Sequence, residues 1–121
     1  MTSHYQDVQR RRRQLHERIR ALTFEPVMRG SVVELRRRCG KKNCACAKDP
    51  NARHKATCLS VNIAGKTELV YLRPDDEQRV REATAAYRKL RKLIDELTAC
   101  ELADLKRQAR ERRRSSKRRR T

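Results

Sequence analysis

Four of the five cysteines and one of the three histidines fall within twenty residues, in Cys39-Gly-Lys-Lys-Asn-Cys44-Ala-Cys46, followed by His54 and Cys58. Thiolate and imidazole are the side chains that bind zinc best, and a structural site needs four donors around a tetrahedron. The spacing Cys-x4-Cys-x-Cys-x7-His-x3-Cys offers five candidates for four positions. It matches none of the common finger or ribbon spacings. Cys39, Cys44, Cys46 and His54 are the first choice, with Cys58 as the alternate ligand. A histidine in the set favours zinc over an iron–sulfur cluster. A metal-free reading stays open, because strand alternation alone would turn Cys44 and Cys46 the same way. Gly40 directly after Cys39 suits a knuckle, where the backbone needs permissive dihedrals.

Lys41, Lys42, Lys48, Arg53 and Lys55 stud this segment. Cations near thiolates lower their proton affinity and offset the charge of a three-thiolate site. They can equally face phosphate. Glu34 and Asp49 are the only acids close in sequence, and neither belongs to an acid–base motif. There is no Cys-x-x-Cys redox pair, no phosphate-cradling glycine loop and no hydrolase triad pattern. Catalysis is therefore not expected.

The whole chain has 121 residues and a formal net charge of +18, with 36% hydrophobic residues, one phenylalanine and no tryptophan. That is thin core material, and small domains often need a metal staple. So basic a chain calls for a polyanion, nucleic acid ahead of an anionic membrane. No apolar run has the length of a membrane span and no secretory h-region follows the start. A cytoplasmic protein is the expectation; thiols there stay reduced, which favours metal over disulfides.

The elements that must position the cysteines follow from periodicity. Residues 3–22 read as a helix, with Ser3 and Gln6 as a capping box and Val8, Leu15, Ile19 and Leu22 as one apolar stripe. Arg10, Arg11, Arg12 and Arg13 ring it, as a solvated face or as phosphate contacts. Pro26 and Gly30 mark a linker. Ser31 to Arg37 reads as a strand that runs into Arg36-Arg37-Arg38. Cys39 to Thr57 reads as a loop. Cys58–Ile63 and Glu68–Leu72 form a hairpin around Ala64-Gly65-Lys66-Thr67.

Asp75, with Gln78, caps a long helix carrying Val80, Ala83, Tyr87, Leu90, Ile94 and Leu97. The phase then shifts to Leu102, Leu105 and Ala109, which implies a stutter or break near residues 98–101. Cys100 lies there as a buried small hydrophobe. Residues 110–121, with Arg112, Arg113 and Arg114, read as a disordered basic tail. The expected fold is α+β: a basic N-terminal helix (1–24), a small antiparallel sheet of about three strands with a zinc-knuckle loop (25–73), a long amphipathic helix (74–109) and the tail.

The runs Arg29-Gly30-Ser31-Val32-Val33-Glu34 and Arg38-Cys39-Gly40-x3-Cys44-x-Cys46, then His54, the strand pair and Tyr87-Arg88-Lys89-Leu90, resemble a family of small uncharacterised prokaryotic proteins. It is catalogued as a domain of unknown function and often annotated near transposases and other mobile elements. The resemblance covers roughly residues 5–110 and implies Cys39, Cys44, Cys46 and His54 as ligands. Relatives usually read His-Gly-Pro-Tyr where this chain has His54-Lys55-Ala56-Thr57, so Cys58 competes with His54.

The function expected is non-catalytic, zinc-stabilised nucleic-acid binding, with DNA ahead of RNA and a link to a mobile element. The phosphate-contacting candidates are Arg10–Arg13, Arg36, Arg37, Arg38, Lys41, Lys42, Lys48, Arg53, Lys55 and Arg112–Arg114. The alternative is a helical adaptor whose long helix forms a homodimer or docks on a transposase-like enzyme.

Overall fold

The computed structural model describes residues 3–120, with side chains from Tyr5 onward. The order is α1 (Ser3–Thr23), β1 (Ser31–Arg37), two single 3-10 turns (Ala45–Ala47 and Pro50–Ala52), β2 (His54–Ile63), β3 (Lys66–Tyr71) and α2 (Pro74–Arg120). This is the α+β arrangement expected. The Ser3 cap lies outside the described side chains.

One compact unit spans Pro26–Arg88. Its strands form an antiparallel sheet in the order β1-β2-β3. Ser31 opposite Ser60 through Arg37 opposite His54 sets the first register. The second sets Cys58 opposite Tyr71 and Ile63 opposite Lys66. Strand β2 therefore starts four residues before the expected Cys58, because Leu35, Arg36 and Arg37 on β1 supply partners for residues 54–56. The hairpin is also tighter than expected. Ala64 and Gly65 alone make the turn, both at positive φ (53° and 81°), as two-residue hairpins that match strand twist require.

Leu59 and Val70 line a cleft with Val80 and Ala83 of α2. Leu59, Val80 and Ala83 are buried there. Gly30 is needed for close approach, since a Cβ would stand 3.0 Å from the Ser60 carbonyl. The cap of α2 also differs from expectation. Pro74, not Asp75, opens the helix, its missing N–H costing nothing there. Asp75, Asp76 and Glu77 fill the first turn, where carboxylates suit the helix dipole. Gln78 bonds Glu82 instead of closing a box.

The other unit combines α1 with α2 from Lys89 onward. Here α1 and α2 run antiparallel. Cys100 Sγ lies 3.9 Å from the Val8 carbonyl, and Arg107 stacks 5.9 Å from the Tyr5 ring centre. Leu15 and Leu93 are buried. Cys100 is half-buried against α1, not fully buried as expected.

Three expectations about α2 fail. The helix is continuous through residues 98–101, and it continues to Arg120 where a disordered tail was expected. Arg and Lys are good helix formers, no Gly or Pro intervenes, and cations at a C-terminus suit the dipole. The inward row also differs. Leu93, Leu97, Cys100, Asp104 and Arg107 are buried or half-buried, whereas Ile94, Leu102 and Leu105 are 47%, 48% and 57% exposed. Polar residues hold inward positions and leucines hold outward ones, which the sequence pattern concealed.

Candidate metal centre

Because Arg37 stands opposite His54, the sheet holds both ends of the 38–53 excursion side by side. Cys39 leaves β1 and His54 opens β2. Gly40 follows at φ 86°, the left-handed region that glycine tolerates best. The chain turns through Cys44 N to Lys41 O (3.3 Å) and Ala47 N to Cys44 O (3.1 Å). Asp49 accepts from the Asn51 amide at 2.9 Å and fixes the second 3-10 turn. These short turns bring three thiols onto the imidazole.

The ligand atoms of Cys39, Cys44, Cys46 and His54 all lie within 4.8 Å of one another. Cys39 Sγ and Cys46 Sγ are 3.5 Å apart, and Cys44 Sγ is 3.3 Å from His54 Nε2. A tetrahedral zinc with sulfur at about 2.3 Å and nitrogen at about 2.0 Å needs edges of about 3.8 and 3.5 Å. Those two separations lie close to the edges of that cage, and the cysteines are free thiols. The Cys39 amide approaches Cys46 Sγ at 3.4 Å, the backbone-to-sulfur contact expected of a knuckle. These four residues could hold a metal ion.

The two central thiols differ. Cys44 is lowered to about 6, first by the Cys46 amide and then by His54 and the neighbouring thiols. Cys46 is pushed up. The Cys39 amide favours its thiolate, but burial and the adjacent Cys44 and Cys39 together outweigh it.

Cys58 takes no part. It is fully buried in β2, opposite Val33 and Tyr71. It shares a sheet face with His54, but four residues of strand separate them by roughly 13 Å. One ion cannot span that.

Among the expected phosphate contacts, Arg36, Arg38, Lys41, Lys42, Lys48 and Lys55 are exposed. None has an acidic partner within 4 Å among the described residues. Arg37 lies 4.5 Å above the Tyr71 ring. Arg53 is half-buried and its Nε has no partner. On α1, Arg10 and Arg13 are exposed, but Arg11 pairs with Glu96 at 3.2 Å and Arg12 with Glu101 and Asp104. Two of the four arginines at 10–13 thus serve the helix pair. Arg112, Arg113 and Arg114 are exposed on α2. The Arg37–Tyr71 stack escaped the sequence reading; the register that puts residues 37 and 71 near Ala56 on one face would have revealed it.

Residues 5–82 match a family model described as a domain of unknown function (DUF6788). The match takes in α1, the sheet and the metal centre and ends before the basic end of α2. No curated protein and no solved structure matches the chain. Among the described residues, no helix is long and apolar enough to cross a membrane.

Proposed function

We propose that this chain, which belongs to the DUF6788 family, is a non-catalytic, zinc-stabilised DNA-binding protein. The observation that carries the reading is the Cys39, Cys44, Cys46 and His54 quartet set among exposed cations without acidic partners. Three thiolates and a neutral imidazole around a divalent ion leave one net negative charge. Six free cations near it exceed what neutralisation needs, so the surplus is available to phosphates. Zinc pins the 38–53 excursion to the sheet and so orders the four of those cations that it carries, Arg38, Lys41, Lys42 and Lys48.

DNA is favoured over RNA by the end of α2. Residues 110–120 form an exposed helix bearing eight Lys or Arg. B-DNA's major groove admits a helix, whereas the A-form RNA groove is deep and narrow. Contacts of this kind are made to phosphate and carry little sequence information. A link to mobile elements, which the family resemblance implies, would supply DNA as the natural substrate. The test is a titration of duplex DNA and duplex RNA against metal-loaded and chelator-treated protein. Tighter binding to DNA that weakens on metal removal supports the reading; binding indifferent to metal opposes it.

A further inference from the structure

The outward face of α2 is apolar where the rest of the helix is charged. Ile94, Leu102 and Leu105 are about half exposed. They lie roughly a third of a turn round the helix from the row that meets α1, at 100° per residue. Thr98 falls between them, and its hydroxyl donates to the Ile94 carbonyl at 2.8 Å. That leaves its methyl as the outward group. Ala109 extends the row, giving positions 94, 98, 102, 105 and 109, over about 22 Å of helix.

The charges beside this row are specific. Asp95 and Lys106 flank it on the same side, both exposed, and neither has an ion-pair partner within 4 Å among the described residues.

We infer that this face binds the same face of a second copy, with the two α2 helices antiparallel. Centred between Thr98 and Leu102, that alignment puts Ile94 against Leu105 of the second copy and Thr98 against its Leu102. It also puts Asp95 against Lys106 twice, by symmetry. Flanking charges of this kind set helix orientation. A parallel alignment would instead lay residues 106–120 of both copies side by side, each with ten Lys or Arg and one Glu. The antiparallel pair sends those cationic ends in opposite directions. One helix face covers less than the roughly 800 Å² per partner of a stable complex, so the dimer is weak, dissociating at roughly 10–100 µM. This inference stands apart from the DNA reading and needs no metal.

The test is sedimentation velocity on the nuclease-treated full chain, from roughly 5 to 500 µM. A concentration-dependent monomer–dimer equilibrium is expected, with Leu102→Glu or Leu105→Glu weakening it at least tenfold. Both leucines are exposed, so helicity by circular dichroism should be unchanged and a folding defect is thereby distinguished. Asp95→Lys and Lys106→Asp should each weaken self-association. Mixing the two variants should restore a heterodimer, because each interface pair is then again opposite in charge. A chain that stays monomeric throughout, a dimer indifferent to Leu102→Glu, or charge variants that associate alone but not better when mixed would overturn the proposal.

Discussion

The single residue that best separates ligand from bystander is Cys58. Its type and spacing suit a ligand as well as those of Cys46 do, yet it is buried within β2. Replacing Cys39, Cys44 or Cys46 by Ser, or His54 by Ala, should each lower bound zinc well below one per chain, read by elemental analysis. Cys58→Ala should keep the metal and cost about 1–2 kcal/mol of stability in denaturant unfolding. The thiols also differ in their titration. With its folded value lowered to about 6, Cys44 in metal-free protein is largely thiolate at pH 7. The stability that this thiolate contributes is present above the ordinary thiol range and is lost as pH falls through about 6. Iodoacetamide at pH 7 should therefore label Cys44 before Cys46, and its rate at Cys44 should fall below pH 6. Bound zinc should protect both. The quartet was legible in sequence because ligand chemistry depends on residue type and local spacing. The choice between His54 and Cys58 was not, because it depended on a strand register set by Val33, Leu35 and Arg37 on another element.

Among the elements, the α1–α2 pair shows why apolar periodicity misled. On α1 the inward row is Val8, Arg12, Leu15, Ile19 and Leu22, so an arginine fills the gap in the apolar stripe between Val8 and Leu15. Opposite it, α2 supplies Asp104, only 8% exposed, which also bonds Arg107 at 2.7 Å. Asp104 is held low first by Arg107, against the opposing effect of burial, and Glu101 is held low first by Arg12. Both shifts are downward, so their stabilisation is complete above the usual carboxylate range and is lost as pH falls below it. Thermal melts should show the helix pair weakening below about pH 4.

A buried polar pair fixes register more than it adds stability. Asp104→Leu alone should lower the melting temperature, because Arg12 keeps only Glu101 and Arg107 keeps only Glu111, whereas Arg12→Leu with Asp104→Leu should recover part of the loss. Leu15→Ala, at a fully buried position, should cost about 2–4 kcal/mol. Sequence periodicity gave the two helices, since Leu15, Ile19, Leu22, Val80 and Ala83 recur at helical spacing. It misplaced the second half of α2 because Leu102, Leu105 and Ala109 were read as the apolar stripe, whereas Asp104 is the buried residue there.

At the scale of the whole molecule, the proposed function joins the charge of +18 to the candidate metal centre: a bound ion would stiffen a chain with little core so that its cations could meet DNA. With on the order of 6–10 phosphate contacts, affinity should fall about 10³–10⁵-fold between 50 and 200 mM salt. Removing residues 110–121 should weaken binding on all sequences alike and flatten that salt slope, as loss of phosphate contacts does. The composition pointed to a polyanion, but it misjudged the final segment, which folds as helix because nothing in it breaks one. The most direct measurement is zinc content of the purified chain, followed by circular dichroism and DNA titration during chelation. One zinc per chain is expected, with loss of sheet signal and of DNA affinity as it is withdrawn. A metal-free protein that keeps its fold and binds DNA equally well under strong chelator would contradict the account.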